Sequence, residues 1–260
     1  MISIKMEKKI NDHLKLRNKD FNYINIHFIL NLIILFSLLF ISIKQCRIMN
    51  NNYNSEIHLV INGNGNQNIL SSSFYTNTSD VIVNNISKKD VCYKQCDLDE
   101  DINYITLIFE EEITSCKYMF NDLSNIIEIY LTNFDTSKVT SMKFMFSSCT
   151  NLEKITFGNI NTSLVNTMEA LFLHCKSLKS IDVSNFDTSQ VTTMSQMFLY
   201  CESLKIIDAS SFRTPKLEIL VDMISYCYQL ITVNLSNFDT SIANNFQGIF
   251  FHCHQLSFLD

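Results

Sequence analysis

The chain has 260 residues, 47% of them hydrophobic, enough to bury a sizeable core, yet it holds only 4 Gly, 1 Pro and no Trp. A two-domain enzyme with many tight turns would use more of both turn residues. The net charge is −6 and no Lys/Arg-rich face stands out beyond the first twenty residues, which argues against nucleic acid as a partner.

In chain order, residues 1–23 read as a cytoplasmic tail, because Lys5, Lys8, Lys9, Lys15, Arg17 and Lys19 outnumber Glu7, Asp12 and Asp20. Residues 24–43, INIHFILNLIILFSLLFISI, carry no formal charge. At ~1.5 Å per residue such a run crosses a ~30 Å hydrocarbon layer as a helix. The expectation is a retained transmembrane signal anchor, a single-pass cell-membrane protein with everything after it outside the cytoplasm. A cleaved signal peptide and a secreted product are the alternative. Asn77, Asn85, Asn161 and Asn234 sit in glycosylation sequons, in keeping with a secretory route.

Residues 44–55, with MNNNYN, form a polar linker. Residues 56–112 read as a β-rich N-terminal cap: EIHLVI and DVIVN alternate as strands around a GNGN turn, and NYITLIF is another strand. A solenoid without a cap exposes its core, which is the reason to place one here. Cys92, Cys96 and Cys116 are the disulfide candidates, their pairing open, since nine Cys leave one unpaired in any scheme.

From residue 113 to 260 the chain repeats itself. Cys149, Cys175, Cys201, Cys227 and Cys253 recur every 26 residues, and the units start at 113, 139, 165, 191, 217 and 243, with Leu123 in the Cys place of the first. Within a unit the apolar residues fall at positions 1, 4, 7, 8 and 11, as in Val165, Met168, Leu171, Phe172 and Cys175. That spacing predicts one stripe of a short helix. Thr114, Thr140, Asn166, Thr192, Glu218 and Asn244, mostly side chains with an acceptor oxygen, would be its N-caps. An LxxLxL run follows, as in Leu178, Ile181 and Val183, and predicts a short strand. Phe134, Ile160, Phe186, Phe212 and Phe238 make an apolar plug, and FDTS turns the chain back.

The pattern NFDTSxVxxMxxMFxxCxxLxxIDxS resembles the 26-residue repeat of BspA-type leucine-rich repeat surface proteins, found in bacteria, mycoplasma lipoproteins and protists. The resemblance covers residues 113–260. It implies an α/β fold, a right-handed leucine-rich-repeat solenoid with one strand and one helix per repeat, displayed at the cell surface for binding or adhesion. It implies no catalysis and no cofactor. Some units depart from the pattern: LEILVDMISYC loses one Met and the Phe, with Leu220 and Ile224 in their places, and FRTPK replaces FDTSx.

Chemistry-bearing residues have structural readings. The Cys column lies on the expected helix stripe, and helices ~8–10 Å apart hold Cα atoms too far apart for disulfides, so buried thiols are expected. HCH at 252–254 and His174 beside Cys175 fall short of a zinc ligand set. Asp182, Asp208 and Asp260, with Asn234, form an exposed column whose default is solvation, with calcium as the alternative. The expected partner face is Glu128, Tyr130, Lys154, Thr156, Ser180, Asp182, Ile206, Asp208, Thr232, Asn234, Phe258 and Asp260, more apolar toward its end.

The functional expectation is a non-catalytic, membrane-anchored surface module that binds an extracellular protein or glycan. A structural or antigenically variable coat element without a ligand is the alternative. Self-association through an uncapped last repeat is also expected.

Overall fold

Residue-by-residue alternation builds the first strand. In β1 (Ser55–Asn62) Ile57, Leu59 and Ile61 are buried, while His58 and Val60 face the other way. The computed structural model describes residues 55–260, within a unit spanning Tyr53–Asp260. β1 lies between β6 (Ile102–Phe109) and β7 (Ile126–Asn133), antiparallel to both. With β3 (Asp80–Val83), β4 (Ile86–Ser87) and β8 (Lys154–Thr156) they make a six-stranded sheet in the order β4-β3-β6-β1-β7-β8. β2 (Gly65–Asn68) pairs with β5 (Gln95–Leu98) as a separate ribbon. The turn into β2 has positive φ at Gly63 (125°) and Gly65 (66°), and the first of these lies where glycine alone is unstrained.

From β7 onward each strand lies parallel to the strand one repeat away. Glu128 pairs with Lys154 between β7 and β8. β9 (Ile206–Asp208), β10 (Thr232–Asn234) and β11 (Phe258–Leu259) continue this as a three-stranded sheet, with Ile206, Thr232 and Phe258 in register. The pairing offset of 26 equals the sequence period, so each unit is one coil stacked on the last. The third coil forms no strand over 180–182, and the column therefore divides into two sheets there.

The helix expected in each coil does not form. No helix occurs among the described residues, and the α/β leucine-rich-repeat solenoid gives way to a β-rich stack of coils. The segment after each repeat start is a string of tight turns. In the second coil the Met145 N–H reaches the Met142 carbonyl (3.2 Å) and the Cys149 N–H reaches Phe146 (3.2 Å). The N–H groups of Met142, Phe144, Phe146 and Ser148 instead cross to the Thr167, Glu169, Leu171 and Leu173 carbonyls of the next coil, at 2.7–3.1 Å. Phe144 (φ 56°) and Ser148 (φ 60°) occupy the third position of their turns, where a type II turn requires positive φ. Ala170 with His174, Gln196 with Tyr200, and Asp222 with Tyr226 repeat the pair. Two left-handed residues four apart rule out a continuous α-helix. The expected N-caps also join coils: Thr140 donates its N–H (2.9 Å) and its hydroxyl (3.2 Å) to the Thr114 carbonyl.

This backbone gives a direct expectation. Gln196→Gly removes a side chain from a left-handed position (φ 60°) and should raise stability by about 0.5–1 kcal/mol in denaturant unfolding. A loss of stability would show that Gln196 is unstrained.

The coil interiors are columns of like residues. Phe120, Phe146, Phe172 and Phe198 stack with centroids 5.8, 5.5 and 5.4 Å apart. Phe186, Phe212 and Phe238 form a second column, at 6.3 and 5.8 Å.

Membrane anchoring is corrected as well. No helix among the described residues is long and apolar enough to cross a membrane, so the transmembrane helix, the single-pass localisation and the partnership with a bilayer have no structural support. Residues 24–43, on which that expectation was placed, lie outside the described residues.

Candidate functional site

Alternation in three cap strands and β7 raises two rows of side chains on the outer face of the six-stranded sheet. One row runs Ile82, Thr106, His58, Tyr130 and Thr156 across β3, β6, β1, β7 and β8. The next runs Tyr104, Val60, Glu128 and Lys154. Residues of both rows, with Asn84, Asn85, Glu100 and Ile102, line a half-open groove of about 900 Å³. Tyr104 is 66% exposed in its wall.

Hydrogen bonds fix the lining. His58 Nδ1 lies 2.9 Å from Thr106 Oγ1. The Asn84 amide donates to Asn103 Oδ1 (3.0 Å) and its oxygen accepts the Tyr104 N–H (2.9 Å), which ties the turn to β6. The Tyr130 hydroxyl donates to Glu128, and Lys154 donates to the Tyr130 hydroxyl (3.2 Å) and lies 3.9 Å from Glu128. Lys154 also sits 5.0 Å from the Tyr130 ring centroid, and its ammonium is raised above the ordinary lysine value, first by the Tyr130 hydrogen bond.

Of the expected face residues, Glu128 and Tyr130 pair in register with Lys154 and Thr156, and Ile206 and Asp208 with Thr232 and Asn234, with Phe258 next to Thr232; only Glu128 and Tyr130 line the groove. Lys154 and Thr156 border it. Ser180 and Asp182 lie where the strand column is interrupted, followed by Ile206 and Asp208 on β9, Thr232 and Asn234 on β10, and Phe258 on β11 with Asp260 beyond it. Ile206 and Phe258 are both more than half exposed. Tyr104, His58 and Asn84 escaped the sequence reading, although alternation in NYITLIF already sets Tyr104 and Thr106 on one face.

The carboxylate column has structural bonds. Asp182 and Asp208 accept the N–H of Ser184 and Ser210 (both 3.0 Å), and Asn234 does the same for Ser236. Hydrogen bonds from the Ser184 and Ser210 hydroxyls and amides hold Asp182 and Asp208 below the usual carboxylate range. Asp187 and Asp239 are lowered in the same way by Ser189 and Ser241. Such groups stabilise the fold fully above their unfolded pKa, and that contribution disappears as pH falls through the lower folded value. Melting temperature should therefore drop as pH falls through the acidic carboxylate range, and less so in Asp187→Asn, which keeps the acceptor. Identical profiles would contradict this. Among the described residues no group of three or more His, Cys, Asp or Glu is placed to hold a metal ion.

Of the sequons, Asn77, Asn85 and Asn161 are exposed and Asn234 is half-buried in β10. The Asn161 oxygen accepts the Ser163 N–H (3.0 Å) and hydroxyl (2.8 Å), the role Asp187 has in the next coil.

Cys92 and Cys96 are joined in a disulfide, while Cys116 is free and buried. Coils stacked at strand spacing, about 4.8 Å, remove the separation argument against bridges along the Cys column. The thiols are nevertheless free, and each donates to a Phe or Ile carbonyl of the preceding coil: Cys149 to Phe120, Cys175 to Phe146, Cys201 to Phe172, Cys227 to Phe198 and Cys253 to Ile224, at 2.8–3.2 Å. Leu123 fills this place in the first coil, which has no earlier repeat to bond. Burial pushes the thiols of Cys116, Cys149, Cys175 and Cys201 up, whereas half-buried Cys253 is lowered by the Cys227 side chain beside it. Only thiolates alkylate readily. Among the described free thiols, iodoacetamide should modify Cys253 first and leave the other five unmodified until the chain unfolds; prior labelling of Cys175 would contradict the burial.

Comparison with known families matches residues 114–232 and 148–258 to the family described as Mycoplasma protein of unknown function, DUF285. No curated protein and no solved structure matches the chain. The matched segments coincide with the stacked coils and support a mycoplasma-type surface repeat protein, without the finer leucine-rich class that the helices would have signified. Together they span more than half of the sequence, and the chain belongs to this DUF285 family.

Proposed function

We propose that the protein is a non-catalytic binding module of the surface repeat type, which receives a protein or glycan partner on the outer face of its six-stranded sheet. The observation that carries this reading is the groove. It is half-open, within the roughly 300–1,000 Å³ range of ligand sites, lined by side chains fixed by hydrogen bonds, and continuous with the in-register strand face of β7 and β8.

Adhesion of the coated protein to a panel of cell and matrix surfaces tests this. The double variant Tyr104→Ala/Tyr130→Ala, folded as judged by its melting temperature, should lose retention. Lys143→Ala, on the turn side of the coils, should keep it. Equal retention by both would remove the groove from the reading and leave a structural or antigenically variable coat element.

A further inference from the structure

We infer that the groove binds a neutral oligosaccharide, laid across the strands with a sugar face against Tyr104; this rests on the binding reading above and adds the chemistry of the ligand. Charge decides first. The lining contains two carboxylates, Glu100 and Glu128, one histidine, and no lysine or arginine. Sulfated, phosphorylated or sialylated ligands would meet like charge here with no guanidinium or ammonium in the lining to pair with, and the ammonium at its border, Lys154, is already bonded to Tyr130 and faces Glu128.

A cationic ligand is the next class to weigh, and the existing bonds disfavour it. The Glu128 carboxylate already receives the Tyr130 hydroxyl and faces Lys154, so an incoming cation would have to displace both. Hydroxyl-bearing ligands need no displacement. A sugar hydroxyl can donate to a carboxylate and accept from an amide or hydroxyl, and Glu100, Asn85 and Thr106 offer these functions around the groove.

Strand spacing favours a ligand of repeated units. The lining side chains come from rows across β3, β6, β1 and β7, strands about 4.8 Å apart, which suits a chain of similar units better than a compact molecule that must be enclosed. Tyr104 supplies the apolar surface: its ring is a flat, largely exposed wall, and an aromatic with a polar tip matches the apolar face and polar rim of a pyranose.

Isothermal titration of the full chain with chitotetraose, cellotetraose, a heparin tetrasaccharide and an arginine-rich peptide tests the assignment. Saturable binding of a neutral tetrasaccharide is expected, weakened by about tenfold or more in Tyr104→Ala and retained in Tyr104→Phe, which keeps the ring. Neutral binding that ignores Tyr104→Ala would overturn it. So would binding of only the heparin fragment or only the peptide. If every probe is silent while retention on surfaces still depends on Tyr104 and Tyr130, the sugar assignment falls and the binding face stands. If retention is also indifferent to these residues, both fall.

Discussion

Replacing Phe172 with Ala is expected to destabilise the protein by about 3–5 kcal/mol. Phe172 is fully buried at the middle of the main aromatic column, 5.5 Å from Phe146 and 5.4 Å from Phe198, with Phe157 edge-on at 6.2 Å. Its removal empties a site whose neighbours above and below are pinned by backbone bonds between coils, Phe146 N–H to the Leu171 carbonyl (3.0 Å) and Phe198 N–H to the Met223 carbonyl (2.8 Å), so collapse into the void is limited. Each coil contacts only its neighbours, and a weakened interface in the middle of the array should also lower cooperativity. Urea unfolding followed by circular dichroism measures both. A loss below about 1 kcal/mol would mean that the coils do not share this column.

Thr188→Val is expected to cost about 2–4 kcal/mol although it preserves side-chain shape. The Thr188 hydroxyl, nearly inaccessible, accepts the Arg213 N–H (2.9 Å) and donates to the Arg213 carbonyl (2.8 Å) one coil away. Thr162 makes the same pair of bonds to Asp187, and Thr214 to Asp239. Valine leaves an N–H and a C=O without partners in a part-buried seam. Thr188→Ser, which keeps the hydroxyl, should lose much less. If Val and Ser variants unfold at the same denaturant concentration, the seam carries no weight.

Much of this design could be read in the letters, and the failures share a physical cause. The period, and the LxxLxL strand with its register outside the third coil, followed from apolar spacing, since Ile129 pairs with Ile155 and Ile207 with Val233 where parallel strands stack them; Leu178, Ile181 and Val183 form no strand. The Asp-x-Ser turn of FDTS was legible because its bonds are local. The Thr of the same motif was misplaced, because its partner lies 25 residues away and no local rule points there. The helix was misread for a related reason. Consecutive four-residue turns return apolar side chains to one face every three or four residues, as an α-helix does, and the distinguishing feature is positive φ at Tyr118, Phe144 and Tyr200. Those side chains have no left-handed preference, so the hints at the turns were confined to Gly248, the aspartates at 122 and 222 and the histidines at 174 and 252. The groove stayed hidden because it is assembled from β1, β3, β6 and β7, segments far apart in sequence.

The central physical claim is that each unit is a helix-free coil bonded through its turns to the next. Backbone NMR of residues 141–148 in the folded protein tests it most directly. The account requires left-handed chemical shifts at Phe144 and Ser148 together with contacts from these residues to the backbone of 167–173. Consecutive helical shifts over Met142–Cys149, with contacts running only four residues along the chain, would contradict it.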